Sequence, residues 1–414
     1  MVKTRTIKNV CLHCFSDLDA NRVCTRCFRH ADDTPSPLHH LPQRTVLNGK
    51  YLIGKALGEG GFGITYLAWD LDVGVKVAVK EYFPSGYVNR MPKSNNVIIN
   101  AKQHQSASNR GLKRFIEEAK NLAKIKNLSG IVNVRDFFSA NGTAYIVMEF
   151  LDGISLKKYL QRKGGKITCD EILNIIRPVM DSLVRVHETG LIHRDISPDN
   201  IIITKYNEVK LIDFGAAKQS NLDGKSLSIV LKQGFAPEEQ YRTHGEQGPW
   251  TDVYALGVTV YYAITGQLPP ESIQRMYKDT IVRPSELGAD INAGQEAALM
   301  KSLAVLAKNR YRDVSQMIAG LYNPRNSQTK KIAPQRTSAP TPISINRPAP
   351  TVTKERAVAK TADGGAAKES AAIAVQTHVK SEAATVTQNT AAKPRARSRV
   401  SSKRNVLSRI FGKK

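Results

Sequence analysis

The chain has 414 residues, 41% of them hydrophobic and 23% charged, and a formal net charge of +25. That length allows two or three domains and one large core. The most apolar stretch, residues 253–264, is too short to cross a bilayer, and no apolar leader-like run precedes Cys11. An integral membrane protein and a secreted disulfide protein are therefore not expected, and the reading is a cytoplasmic chain in a reducing compartment. From residue 325 onward there are 19 Lys and Arg against 4 Asp and Glu, a net +15. The basic balance is mainly a property of the tail, and it suits an acidic partner such as nucleic acid or an anionic membrane surface, or simply a solvated tail.

Four of the five cysteines fall in the first 30 residues, as Cys11-Leu12-His13-Cys14 and Cys24-Thr25-Arg26-Cys27. Two such pairs can place four thiolates around one tetrahedral Zn2+, and a segment this small would draw most of its folding free energy from the metal. A redox pair or a chance spacing is the competing explanation, and two pairs outside a βαβ context favour a structural Zn2+ ribbon over residues 1–30. A ribbon of this type binds nucleic acid, binds protein or packs on its neighbour; the residues do not choose. Residues 31–45, with Pro35, Pro37 and Pro42, read as a linker.

From Tyr51 the pattern turns to strands. Gly58-Glu59-Gly60-Gly61-Phe62-Gly63 lies between two of them, and Val77-Ala78-Val79-Lys80 ends a half-buried strand on a lysine. Residues 85–110 are polar and turn-rich and read as an exposed insertion. A helix is expected over about 112–126, then a strand pair joined at Asn141-Gly142. Helices follow over 155–162 and from 170 to about 188, the second capped at Thr168, and helical patterns run from 251 to 321. From Pro324 on, Ala, Thr, Ser, Pro and Lys dominate, a composition that cannot bury enough apolar surface to offset chain entropy. A disordered basic tail over 323–414 is expected. Val406, Leu407, Ile410 and Phe411 would share a face if its end is helical, beside the alternative of a frayed terminus.

Between Leu191-Ile192 and Ile201-Ile202-Ile203 stands His193-Arg194-Asp195-Ile196-Ser197-Pro198-Asp199-Asn200, and Asp213-Phe214-Gly215 follows. A carboxylate, an amide and a second carboxylate at this spacing suit a Mg-nucleotide site. The glycine pattern alone is weak, since dinucleotide folds share it, but a loop between strands followed by Val-Ala-Val-Lys differs from one that opens a helix.

With these motifs in order, residues 46–322 resemble the protein kinase family, and Leu47-Asn48-Gly49-Lys50-Tyr51 and Lys80-Glu81-Tyr82-Phe83-Pro84 resemble the eukaryotic-like serine/threonine kinases of bacteria. The resemblance implies an α+β fold of two lobes, a small β-rich one and a larger helical one. It implies ATP and Mg2+ (or Mn2+), protein substrates and a signalling role. Gly58, Gly60, Gly63 and Ala78 would cover the nucleotide, and backbone groups of Glu149 and Leu151 would pair with adenine. Lys80 would contact the phosphates, held by Glu118 rather than Glu117. Asp195 would orient the substrate hydroxyl, and Asn200 and Asp213 would hold the metal. Glu239 and Arg310 would pair behind the activation segment, Asp252 would cap the catalytic loop, and Ser226 and Ser228 are the candidate phosphorylation sites.

Thr65 stands where the family usually has valine, a minor departure because its methyl group can still cover adenine, and two further positions depart together. Ser197 stands where a lysine usually steadies the γ-phosphate, and Lys232 stands where the activation segment usually carries a threonine. The expectation is an exchange, with Lys232 supplying the missing charge. Two alternatives remain beside an active kinase. One is a pseudokinase scaffold signalled by Ser197. The other is a nucleic-acid-associated protein acting through ribbon and tail.

Overall fold

The computed structural model describes residues 9–31, 36–92, 94–125, 128–214, 232–242 and 244–323. Ser226, Ser228 and the 324–414 tail lie outside these.

Strands β1 (Val46–Leu47), β2 (Tyr51–Gly60), β3 (Gly63–Asp70), β4 (Val75–Tyr82), β7 (Val134–Ala140) and β8 (Thr143–Glu149) form one antiparallel sheet in the order β1-β2-β3-β4-β8-β7. Alternation along β4 decides what faces what. Val77 and Val79 enter one cluster with Ile53, Tyr66 and Val147, while Ala78 enters another with Met148 and with Phe115 and Ala119 of helix α1 (Gln105–Lys124). Lys80 shares a face with Ala78 and so points toward α1. The Asn141-Gly142 turn has φ of 54° and 73°, the left-handed pair that a two-residue hairpin needs.

Residues 85–110 are not an exposed insertion. They contain the hairpin β5 (Val88–Arg90) and β6 (Val97–Ile99), with Tyr87, Val88 and Val97 buried, and α1 begins seven residues before its expected start. Arg90 explains why a polar stretch packs. Its guanidinium is buried against the fully buried Glu81, donating at 2.6 Å to each carboxylate oxygen, and the Tyr66 and Tyr145 hydroxyls complete that carboxylate at 3.0 and 2.9 Å. A charge pair this deep persists only with its remaining lone pairs satisfied.

The second lobe holds β9 (Gly153–Ser155), β10 (Ile201–Thr204) and β11 (Val209–Leu211), with helices α2 (Leu156–Arg162), α3 (Cys169–Glu188), α4 (Pro249–Thr265), α5 (Ser272–Tyr277), α6 (Ala293–Ser302) and α7 (Val314–Tyr322). Thr168 caps α3, its hydroxyl accepting from the Glu171 amide at 3.2 Å. Helix α4 is apolar all round and buried along almost its whole length, so it forms the spine of this lobe; Gly266, at φ 73°, ends it.

The cysteine segment folds as two matching knuckles. Phe15 and Phe28, each following a second cysteine, take φ of 55° and 57°, and each amide bonds back to the first cysteine's carbonyl. Phe28 is exposed, whereas Phe15, Val10 and Leu12 bury themselves against Leu52 and Leu67 of the sheet, beside Trp69 and Phe150. The segment packs on its neighbour: the Lys55 amide donates to the Leu12 carbonyl at 2.9 Å, and a Cβ at Gly54 would collide with that same oxygen. Among the described residues of the expected linker, His40 and Leu41 are buried on the same lobe.

Candidate active site

The site is assembled where the two lobes meet. Its floor is the loop between α3 and β10. Asp252 of α4 holds that loop by its backbone, accepting from the Arg194 amide with one oxygen and from the His193 amide with the other, each at 2.8 Å; the His187 ring N–H donates to the second oxygen at 2.8 Å. Burial opposes the Asp252 charge, but these donors outweigh it and hold its carboxyl below the usual range. The His193 ring bonds the Ile212 carbonyl at 3.1 Å and lies 4.4 Å from the Phe214 ring, which ties the loop to the segment carrying Asp213 just after β11. Arg194 and Asp213 both have positive φ, 68° and 60°. Strained backbone at two non-glycine residues flanking one cleft marks a place where geometry is held for use.

Within this frame the Asn200 amide donates to both the backbone and the side-chain oxygens of Asp195, each at 2.8 Å, which fixes the Asp195 carboxylate. Lys80 crosses from the other lobe to Asp213 at 2.7 Å. Burial works against the Lys80 charge, yet the carboxylates of Asp213, Glu118 and Asp195 raise its pKa above the ordinary lysine value. Glu118 is buried on the inner face of α1 and Glu117 is exposed, the division expected between them. The short ion pair of Lys80, however, is with Asp213. Glu149 donates its amide to the Asn133 carbonyl at 3.1 Å and turns its carboxylate to Lys210 at 2.6 Å, so its side chain is taken up by the lobe and only backbone remains for a ligand.

The glycine loop fits a nucleotide. A Cβ added at Gly58, Gly60 or Gly61 would meet no atom within 4 Å, so packing does not require glycine at these positions; a Cβ at Gly63 would collide with the Glu81 carbonyl. Three glycines that the protein itself does not need leave a cradle that side chains would fill, as a closely bound phosphate chain requires. Asn200 and Asp213 offer hard oxygen donors of the kind Mg2+ takes.

Lys232 reaches the catalytic loop. Its ammonium donates to Ser197 Oγ at 2.9 Å and forms a close ion pair with Asp199. Burial raises and Lys232 and Lys157 lower the Asp199 pKa, with a net depression. The Asp199 partner was missed from the sequence, although it sits inside the motif two residues from Ser197. Behind this segment Glu239 and Arg310 form a buried two-bond pair at 2.7 and 3.0 Å.

The model of the protein kinase domain matches residues 51–327. The chain belongs to the protein kinase family. Its kinase domain is of the bacterial serine/threonine type. It is 30% identical over 296 residues to the serine/threonine-protein kinase PknB of Mycobacterium tuberculosis, a match covering 68% of this chain and 44% of that one. The probable serine/threonine-protein kinase CA_C1728 of Clostridium acetobutylicum is 29% identical, with 68% and 41% covered, so this chain spans less than half the length of these two relatives. Serine/threonine-protein kinase F of Synechocystis is 28% identical over 362 residues, covering 81% of this chain and 66% of that one. Among solved structures, the apo form of PpkA-294 is similar at 35% identity and a TM-score of 0.62, covering 68% of this chain and 99% of that one.

The four cysteine sulfurs all lie within 4.8 Å of one another. Cys11 and Cys27 are 3.6 Å apart and Cys14 and Cys24 3.4 Å, close to the roughly 3.8 Å edge of a tetrahedron with Zn–S bonds of about 2.3 Å. Burial pushes the Cys11 thiol up to about 12; burial also raises Cys24, but the amides of Cys27 and Arg26, each 3.4 Å from the sulfur, together with the Cys14 and Cys27 side chains bring it down to about 6. Amides directed at a sulfur fit a thiolate ligand. No helix among the described residues is long and apolar enough to cross a membrane.

Proposed function

We propose that the chain is an active serine/threonine kinase that transfers the γ-phosphoryl group of ATP to protein hydroxyls. The observation that carries this is the bracing of Asp195 by Asn200 within reach of a Lys80–Asp213 pair that spans the two lobes. Asp195, held by Asn200, orients the incoming hydroxyl and takes its proton as the bond forms. Lys80 positions the phosphates under the glycine loop, and Glu118 supports its charge. Mg2+, or Mn2+, held by Asn200 and Asp213 would supply charge neutralisation at the phosphate oxygens. The carbonyl of Glu149 and the amide of Leu151 pair with adenine, with Ala78 above it.

Lys232 serves as the γ-phosphate lysine in this reading. Its ammonium already sits on the Ser197 hydroxyl, where the catalytic loop lacks its own cation. The geometry favours this over the scaffold reading, in which Ser197 would mark lost catalysis. Cys11, Cys14, Cys24 and Cys27 bind one structural Zn2+, which suits a reducing compartment such as the cytoplasm. The basic 323–414 tail supplies an electrostatic surface for an acidic partner, nucleic acid or anionic membrane; steeply salt-dependent binding, lost on removing 325–414, is its readout. The transferase reading is tested with labelled ATP, Mg2+ and a serine- and threonine-containing protein substrate. Label on hydroxyls, absent for Asp195→Asn, is expected; silence in both forms refutes it.

A further inference from the structure

The glycine loop is bonded to two histidines that precede β1. Glu59, between Gly58 and Gly60, accepts from His39 Nε2 on one carboxylate oxygen at 2.9 Å and from His40 Nε2 on the other at 3.0 Å. The two histidines belong to the stretch ahead of β1, and that stretch is anchored to the lobe. The His39 carbonyl accepts from Arg90 Nε at 3.0 Å, the Leu41 amide donates to the Tyr66 hydroxyl at 3.0 Å, and the His40 ring stands edge-on to Tyr66 at 6.0 Å. Arg90 and Tyr66 are themselves fixed by the buried Glu81. Two imidazoles on a rigid frame thus converge on one carboxylate carried by a loop.

From this convergence we infer that His39, His40 and Glu59 form a second metal site, which takes a borderline divalent cation such as Zn2+, Ni2+ or Co2+ and pins the glycine loop to the segment before β1. The three ligand atoms lie within 4.8 Å of one another. The two imidazoles approach opposite oxygens of the one carboxylate, at 2.9 and 3.0 Å, so a cation with metal–ligand bonds of about 2.0 Å needs that carboxylate turned to present one oxygen between them. Two nitrogens and one carboxylate oxygen select such ions over Mg2+, which prefers six oxygens. The side chains of His39 and Glu59 are 35% and 40% exposed, leaving an entry path and room for a water ligand. A filled site would hold Glu59, and with it the backbone on either side, over the cleft. Only this consequence rests on the reading of the loop as a nucleotide cover.

The test uses the full chain with its cysteines loaded with Zn2+. Ni2+ is titrated by calorimetry into the wild type, Glu59→Gln and His39→Ala, and release of a fluorescent ATP analogue is followed with and without Ni2+. The wild type is expected to take one Ni2+ more than either variant, and its nucleotide release to slow with Ni2+ while theirs does not. Both substitutions are at partly exposed side chains, and the His39 carbonyl bond to Arg90 survives in each. Equal Ni2+ stoichiometry in all three forms overturns the site. An extra Ni2+ with unchanged release overturns the pinning. An extra Ni2+ in a chain that binds no nucleotide supports the site and counts against the kinase reading alone.

Discussion

At the scale of single residues, the kinase reading turns on where one positive charge is placed. Ser197 cannot supply it, and Lys232 stands on the Ser197 hydroxyl at 2.9 Å. Lys232→Ala is therefore expected to lower kcat on the order of 10²-fold, the scale of one positioned transition-state charge. Ser197→Lys combined with Lys232→Thr should restore most of it. Steady-state kinetics with both variants decides; near wild-type turnover in Lys232→Ala removes the lysine from the mechanism. Asp199 sharpens the expectation, because its ion pair with Lys232 aims the ammonium as well as sharing its charge.

The glycines separate two effects in the same loop. Gly60→Ala should raise KM for ATP with little change in thermal stability, since nothing in the protein opposes a methyl group there. Gly63→Ala should lower the unfolding temperature, because its methyl group would strike the Glu81 carbonyl. Asp252 is a structural case. Its folded pKa is depressed, so its contribution is present above the ordinary carboxylate range and lost as pH falls through the folded value. Asp252→Ala leaves buried amides unpaired and should cost about 3 kcal/mol or more at neutral pH. It should also flatten the acid limb of a stability–pH profile measured by denaturant titration.

At the scale of elements, the sequence was most informative where a local rule had one solution. Thr168 capped its helix, Asn141-Gly142 closed its hairpin, and the knuckles formed around their cysteines. What stayed illegible was tertiary pairing. Nothing near Arg90 in the chain announces Glu81 as its partner, so a packed hairpin read as an exposed insertion. The docking of the cysteine segment was hidden for the same reason: Phe15 and Phe28 occupy equivalent knuckle positions, yet only Phe15 meets Leu52 and Leu67. The cysteine segment bonds to Lys55, on the strand that runs into the glycine loop, so it is expected to support that strand. Phe15→Ala should cost about 3–5 kcal/mol, as for other buried aromatic truncations. Hydrogen exchange should then rise in β2 as well as in the ribbon. Exchange confined to residues 9–31 would show that the ribbon does not support the sheet.

At the scale of the whole molecule, the two lobes could be read from motifs, and the proposed site residues come from those same motifs. Lys80, Glu118, Asp195, Asn200 and Asp213 come from both lobes, and the structure brings them to one cleft. Their pairing was less legible: Lys80 meets Asp213 directly, a contact spanning 133 positions that no spacing rule gives. The most direct measurement is phosphoryl transfer by the full chain, compared among wild type, Asp195→Asn and the Ser197→Lys/Lys232→Thr exchange, with modified residues mapped. Label on serine or threonine is expected for wild type, none for Asp195→Asn, and substantial recovery in the exchange relative to Lys232→Ala. Transfer that persists undiminished in Asp195→Asn, or is absent from the wild type, would contradict the kinase reading.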